Sequence, residues 1–434
     1  MQRYRAALDT LGGGIAAAVA GMALIVPYDA GCGTDSSAMQ MTLLTITVPR
    51  ATATGAVFAV VAAVLVRMLG NRTAWATGAC AALVLATDHL LVASTSATLA
   101  TANFLDSLAG GVLLGAAGAA ALRYRPPAVG YLLGGLTGVL LGRHIETIAA
   151  ENGNLSVLER AFVDLPPDWL AVLAAVLLAV CAVVCGRTST THPTSVQLPF
   201  APIVAAAVVI TTIAVASERL TPGTHSWIAI TAWLVAVVAA ALIAALLLPG
   251  RDGTLTLLAV SLTATGGALA TVHAHWKLAP VLAILALGLF AGVLLPRPQP
   301  VAAAAASVGL SVFALLASSA QHHDSWAALL GGCLYAGLAG YSFGAVTTRL
   351  AASTVLALGV VLVPTAALTL QYRGCDALPS LPDRVSTAGD RAAWTAIGLG
   401  AGCLAAMLVL RRLRPERDEP SQPKPRAPES ERTD

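Results

Sequence analysis

Asp88 and His89 stand side by side in the apolar stretch LVLATDHLLVAST, residues 83–95. A carboxyl group next to an imidazole can bind a proton and pass it on, because histidine changes its charge near neutral pH and a carboxyl group responds strongly to its surroundings. The pair therefore indicates either a proton-binding site or a structural ion pair. The choice depends on the solvent that surrounds this segment.

The composition indicates that this solvent is mostly lipid. The chain has 434 residues, of which 57% are hydrophobic and only 11% are charged. About a quarter of a soluble protein is charged, and a soluble core of this length cannot hide so much apolar surface. The formal net charge of +3 gives no indication of nucleic-acid binding. We expect an integral membrane protein whose main partner is the lipid bilayer.

Apolar segments of membrane-spanning length recur along the whole chain. A helix needs about 20 apolar residues to cross a bilayer, and somewhat fewer when it is rich in alanine. By this criterion the spans are 11–28, 51–69, 74–99, 104–122, 127–149, 168–186, 200–217, 226–248, 254–274, 279–296, 301–319, 326–347, 350–371 and 392–411. The sequence therefore predicts an all-α polytopic membrane protein with about 14 transmembrane helices.

The arginines predict how these spans are oriented. Arginine occurs in every second connection, namely 70–72, 123–127, 186–195, 249–253, 296–300 and 347–349, and again from Arg411 onward. Connections rich in Arg and Lys stay in the cytoplasm. We therefore expect a multi-pass protein of the cytoplasmic membrane with both termini in the cytoplasm. Residues 414–434 are charged and rich in proline, which is typical of a disordered tail.

Two stretches of the chain suggest an internal duplication. DSLAGGVLLGAAGAAALRYR begins at Asp106 and DSWAALLGGCLYAGLAGYSFGAVTTR begins at Asp324. They fall in the fourth and the twelfth span, an offset that two six-helix bundles separated by an extra helix pair would give. The expected domains are an N-terminal bundle at 1–186, a central loop and extra pair at 187–253, and a C-terminal bundle at 254–413.

Two glycine-rich patterns add a family resemblance to this layout. MLGNRTAWATG, residues 68–78, lies between the second and third spans, and GYLLGGLTGVLLG, residues 130–142, lies in the fifth. With fourteen spans, the chain resembles the drug:proton antiporter branch of the major facilitator superfamily, which carries a gating motif and a glycine-rich motif at these places. The expected proline of the second motif is missing.

The resemblance implies a gating role for three residues between the second and third spans. Gly70, Arg72 and Gly78 correspond to the Gly/Asp/Arg-rich motif of the family. Asn71 stands where the family has an aspartate. Small residues also serve ordinary helix packing, so the glycines have a structural interpretation as well.

Ionisable residues on three consecutive spans are expected to lie at similar depth. At 1.5 Å per residue, Asp88, Asp106 and Arg143 all fall in the outer half of the N-terminal bundle. The functional interpretation is a proton-coupling site in which His89 shares the proton. The alternative is a structural ion pair. Glu146 lies one turn from Arg143 and indicates an outer gate, a recognition point for an anion, or an ordinary charged helix end.

The cysteines and histidines give weaker indications, which concern a disulfide and a metal site. Cys32 and Cys375 are the two cysteines of the outer loops, where the environment is oxidising, and we predict a disulfide between them. The alternative is two free thiols. The pairs HAH and HHD have no companion ligands at metal-binding spacing, so the sequence predicts no metal site and no cofactor.

Three functions are compatible with these features. The first is proton-coupled secondary export of a small molecule or an envelope precursor. The second is a non-catalytic scaffold of envelope biogenesis, with another membrane protein as its partner. The third is a polyprenol-linked glycosyltransferase. The sequence has no P-loop and no nucleophile–base spacing of a known kind, so we expect a protein that is not an enzyme.

Overall fold

The structure is a computed structural model that describes residues 2–26, 38–92, 99–149, 166–186, 200–220, 226–250, 252–270, 278–295, 299–319, 325–346, 350–372 and 382–414. Throughout these ranges the regular secondary structure is α-helical. The helices are α1 (Gln2–Ile25), α2 (Ala38–Leu69), α3 (Asn71–Val92), α4 (Leu99–Ala121), α5 (Arg125–Ala149), α6 (Asp168–Gly186), α7 (Phe200–Leu220), α8 (Trp227–Leu247), α9 (Asp252–Ala270), α10 (Leu278–Leu294), α11 (Pro300–Ser319), α12 (Ser325–Ala345), α13 (Ala351–Tyr372) and α14 (Pro382–Leu413).

Each predicted span coincides with one of these helices, so the all-α polytopic fold is confirmed. Within the described part of the chain, ten helices are long and apolar enough to cross a membrane by length and composition. Large apolar side chains such as Ile228, Leu287 and Trp326 lie exposed on their outer faces. Lipid accepts such a surface, and in lipid the helix satisfies every backbone polar group internally. The chain is therefore a multi-pass membrane protein.

The helices pair in the same way in the two halves of the chain. In the first half α1 packs against α5, α2 against α4, and α3 against α6. In the second half the corresponding pairs are α9 with α13, α10 with α12, and α11 with α14. The order of pairing makes α4 the counterpart of α12, as the two Asp-Ser stretches suggest. The domain limits 1–186, 187–253 and 254–413 stay predictions.

The extra pair, α7 and α8, packs against the outside of both halves. Helix α7 lies against α2 and α13, and α8 lies against α14 and α9. Arg50 of α2 donates two hydrogen bonds, of 2.7 and 3.0 Å, to the carboxylate of Glu218 on α7. Arg414 donates to the carbonyls of Leu246 and Leu248, both at 2.7 Å, and so caps the end of α8.

Glycines bring paired helices into backbone contact. A Cβ added to Gly111 of α4 would lie 2.0 Å from the carbonyl oxygen of Gly55 on α2. A Cβ on Gly288 of α10 would lie 2.2 Å from the carbonyl oxygen of Gly337 on α12. The counterpart helix pairs α2–α4 and α10–α12 thus both depend on glycine. Such contacts drive association in lipid, where the hydrophobic effect does not act between helices.

Hydroxyl groups join α9 to α11 in the second half. The hydroxyl of Thr265 donates to the carbonyl of Ser307 at 3.1 Å and lies 3.0 Å from the hydroxyl of Ser311. The hydroxyls of Ser261 and Ser307 also bond to each other. All four side chains are completely buried. These bonds satisfy polar groups that would otherwise face hydrocarbon.

We expect Thr265→Val to lower the free energy of unfolding by about 0.6–1.7 kcal/mol, the range measured for interhelical hydrogen bonds in a membrane protein. Thr211→Val is the matched control, because the Thr211 hydroxyl is exposed and bonds only within its own helix among the described residues. Reversible unfolding in mixed micelles measures the free energy of unfolding of both variants. Equal values for the two variants would show that the α9–α11 bonds add nothing to stability.

Candidate functional site

A histidine on α3 lies between carboxyl groups from two other helices. Nε2 of His89 is 3.3 Å from Oδ2 of Asp106 on α4. Nδ1 of His89 is 3.1 Å from Oδ1 of Asp168 on α6. A neutral imidazole donates from one nitrogen and accepts at the other, whereas an imidazolium donates from both. The ring therefore connects two acidic groups in either charge state.

Asp88 completes the group, which we call the histidine–aspartate cluster: Asp88, His89, Asp106 and Asp168. The carboxyl group of Asp88 lies next to that of Asp106. Among the described residues, Oδ2 of Asp88 and Oδ1 of Asp106 are buried without a hydrogen-bond partner. Ionising both of two carboxyl groups in contact costs free energy, because their negative charges repel. Such a pair can instead hold one proton between its two members.

The packing of three helices positions the cluster. Helix α3 packs against both α4 and α6. A Cβ on Gly78 of α3 would meet Leu178 of α6 at 3.3 Å, so the small residue sets how closely these helices approach. Asp168 is the first residue of α6, and a carboxylate is favoured there by the helix dipole. All four residues lie near one end of the bundle, which we call the cluster end.

Three of the residues expected from the sequence come together here. Asp88, His89 and Asp106 share the site, and His89 supplies the basic group. Arg143 and Glu146 lie on α5, which packs mainly against α1, and their side chains lie outside the described residues. Their roles stay predictions. Sequence reasoning missed Asp168, although its position at the start of the sixth span puts it at the same end as Asp88.

Two of the gating-loop residues, Gly70 and Arg72, lie at the opposite end, called here the arginine end because Arg67, Arg123 and Arg414 lie there. The third, Gly78, lies inside α3. Gly70 is the single residue that links α2 to α3, and its φ of 104° favours glycine. Arg72 is exposed. The amide of Asn71 donates to the sulfur of Cys185 on α6 at 3.4 Å. The turn explains Gly70, and the gating role of this loop stays a prediction.

The two halves meet across an apolar interface. A small cavity there is lined by α5, α9, α10, α12 and α13, and its walls include Leu140, Leu262, Leu285, Tyr335, Phe343 and Val361. Nearby, the fully buried Tyr131 donates its hydroxyl to the carbonyl of Leu114 at 2.9 Å. At this cavity the lining of the interface is therefore apolar and the space between the halves is small.

Two expectations from the sequence concern metals and disulfides. Within the ranges given above, no group of three or more His, Cys, Asp or Glu side chains is arranged to hold a metal ion. Cys32 and Cys375 lie outside the described residues, so their disulfide stays a prediction.

Comparison with known proteins identifies the fold. No protein family model matches the chain, and no curated protein matches it at a significant level. Among solved structures, the inward-open xylose transporter XylE from E. coli is similar, with a TM-score of 0.50, 10% sequence identity, and coverage of 96% of this chain and 97% of that chain. An auto-inhibited POT family peptide transporter gives a TM-score of 0.47 at 13% identity, covering 97% and 99%.

At such low identity the likeness to XylE concerns the fold alone. XylE is described as a major facilitator superfamily protein. XylE is described as a transporter, and a fold of this kind is consistent with the expectation that this chain is not an enzyme. The fourteen-span antiporter branch stays a prediction. The chain is therefore a multi-pass membrane protein with the fold of the major facilitator transporters.

Proposed function

We propose that this protein is a proton-coupled secondary transporter that exports a small molecule or an envelope precursor across the cytoplasmic membrane. The observation that carries the proposal is the histidine–aspartate cluster. It is a group of exchangeable protons held between three helices of a transporter fold. Proton binding to such a group changes the charge that links α3, α4 and α6.

The burial of His89 and Asp106 favours function over a purely structural ion pair. Ionisable groups within transmembrane helices are costly to bury and are usually functional. A structural pair would satisfy its oxygens. Here one buried oxygen each of Asp88 and Asp106 has no partner among the described residues. A bound proton or a water molecule would give each of these oxygens a hydrogen-bond partner.

The interface between the halves favours an apolar substrate. Ligand sites in transporters lie near the bilayer midplane between the repeats. The cavity at that place has leucine, valine and aromatic walls. Such walls would leave the hydroxyl groups of a sugar without partners, so they suit an apolar or lipid-linked substrate once the closely packed halves move apart. This chemistry agrees with an envelope precursor built on a lipid.

The arginine end supports the proposed orientation. Arg67, Arg123 and Arg414 lie there, and α1 begins there. The preference of arginine for the cytoplasmic side would put both termini in the cytoplasm. The cluster end then faces the outside, where an energised bacterial membrane is acidic.

Vesicles reconstituted with the purified protein test the proposal. They are loaded with an organic extract of the cells that make the protein, and an imposed pH gradient drives exchange, which mass spectrometry follows. We expect at least one compound to move only when protein and gradient are both present, and to stop moving with a protonophore. The proposal fails if no compound responds to the gradient.

A scaffold function is the second candidate, and the closely packed interface favours it. A scaffold needs no passage between the halves, and Leu140, Tyr335 and Phe343 leave little space there. This alternative predicts that no extract compound moves and that another membrane protein purifies with the chain from mild detergent. Gradient-driven movement of any compound rules it out.

A further inference from the structure

We propose that Asp168 is the proton-delivery residue of the cluster: it takes a proton from water at the cluster end and passes it through His89 to the Asp88–Asp106 pair. This inference rests on the proposed function. It names the side of the membrane from which the coupling proton arrives and the residue that admits it.

Exposure falls step by step along the hydrogen-bonded series. The Asp168 side chain is 58% exposed, that of His89 is 9% exposed, and that of Asp106 is 7% exposed. The distances between them are 3.1 and 3.3 Å, which a proton can cross along a hydrogen bond. Asp168 is thus the most exposed member of the series, and Asp106 lies behind His89, while Asp88 is itself partly exposed.

The two nitrogens of His89 make it suited to transfer. The neutral ring begins with its proton on Nε2, donated to Asp106, and with Nδ1 as acceptor toward Asp168. Protonated Asp168 gives its proton to Nδ1, and the imidazolium then releases the Nε2 proton to Oδ2 of Asp106. His89 ends neutral with its proton on Nδ1. Exchange of the tautomer, by ring rotation or through water, restores the starting state.

The exposure of Asp168 also argues against a purely structural role. Ion pairs that water reaches contribute about 0–1 kcal/mol, because solvent screens them. An ion pair with this exposure therefore adds little to the association of α6 with α3. The position of Asp168 at the exposed start of α6 suits proton uptake better than it suits stability.

Several other described charged residues lie away from the series Asp168, His89 and Asp106. Asp88, Asp106 and Asp168 are the acids that α3, α4 and α6 turn toward His89. On α2, Arg50 is bonded to Glu218 of α7. Arg5 and Asp9 of α1, Arg67 of α2 and Arg72 of α3 belong to the arginine end. The contacts from Asp168 to His89 and from His89 to Asp106 therefore form a hydrogen-bonded route along which a proton can reach Asp106.

Time-resolved infrared spectroscopy after a pH jump tests this route without a substrate. The purified full-length protein in lipid nanodiscs is brought rapidly to acidic pH, and the rise of the protonated carboxyl signal is followed. The part of that signal that is missing in Asp88→Asn belongs to the buried pair. We expect Asp168→Asn to slow its rise on the order of 10²-fold, the lower limit of what a positioned acid–base group contributes, with an unchanged final amplitude.

Two further measurements separate a relay from a structural effect. Formate, a small acid that diffuses to His89, restores the rate in Asp168→Asn, and Asp168→Glu keeps the rate of the parent protein. Asp390→Asn removes an exposed acid from α14 and is the matched control. A rate in Asp168→Asn equal to that of the parent protein overturns the relay alone. Absence of any protonated signal from the pair in the parent protein overturns the proposed function as well.

Discussion

Asp88→Asn abolishes proton-driven transport, and the variant still reaches the membrane in a folded state. Asparagine has nearly the shape of aspartate, but its amide neither gains nor loses a proton near neutral pH. One of the two carboxyl groups that share a proton is then lost, while Asp106 keeps its bond to His89. We expect uphill movement of the substrate to fall to the level of vesicles without protein. Movement down its own concentration gradient continues, because the passage itself is unchanged.

Two control variants accompany this measurement. Asp88→Glu keeps the carboxyl group, and we expect it to retain a measurable part of the driven transport. Asp390→Asn removes an exposed acid of α14 far from the cluster in sequence and leaves transport unchanged. If Asp88→Asn carries out uphill transport at the rate of the parent protein, the cluster is structural and the coupling site lies elsewhere.

Gly111→Ala destabilises the protein strongly, against the usual preference of a helix for alanine. In a helix with open space around it, this change is stabilising by about 1 kcal/mol. At Gly111 the new methyl group would lie 2.0 Å from the carbonyl oxygen of Gly55, and the backbone of α2 must move away. Overpacking of this kind costs about 1–3 kcal/mol and sometimes more. Unfolding in mixed micelles, or the temperature of aggregation in detergent, measures the loss.

Gly309→Ala provides the comparison. Gly309 is exposed on α11, and nothing lies within 4 Å of the position its Cβ would take. We expect this variant to be as stable as the parent protein or slightly more stable. Should both alanine variants gain stability, the backbone contact between α2 and α4 is not as close as the structure gives it.

The helices were predictable from the sequence because lipid leaves few choices. A chain in hydrocarbon must satisfy its backbone within each helix, so apolar length alone marks the spans. The occurrence of arginine in every second connection gave independent support for the assignment of the spans. The repeat was also visible: the stretch from Asp106 falls on α4, and the described part of the second stretch, from Ser325, falls on α12. These two helices hold the same place in the pairing of their halves.

The composition of the site was only partly predictable, for a geometric reason. Depth along a helix follows from residue count, and it correctly put Asp88 near Asp106. The direction in which a side chain points around the helix, and the helix it meets, follow from packing. Arg143 was expected as the basic partner because its depth matched, and that expectation stays a prediction. Helix α3 packs against α4 and α6. That packing brings Asp168 to His89.

The movement of protons together with substrate tests the central claim most directly. Vesicles that contain the protein, a pH-sensitive dye and the compound found in the extract experiment are given a substrate gradient without a pH gradient. For the parent protein we predict that substrate flow changes the internal pH, and that Asp88→Asn moves substrate without this change. Substrate flow with no proton movement in the parent protein, or equal proton movement in both proteins, would contradict the account.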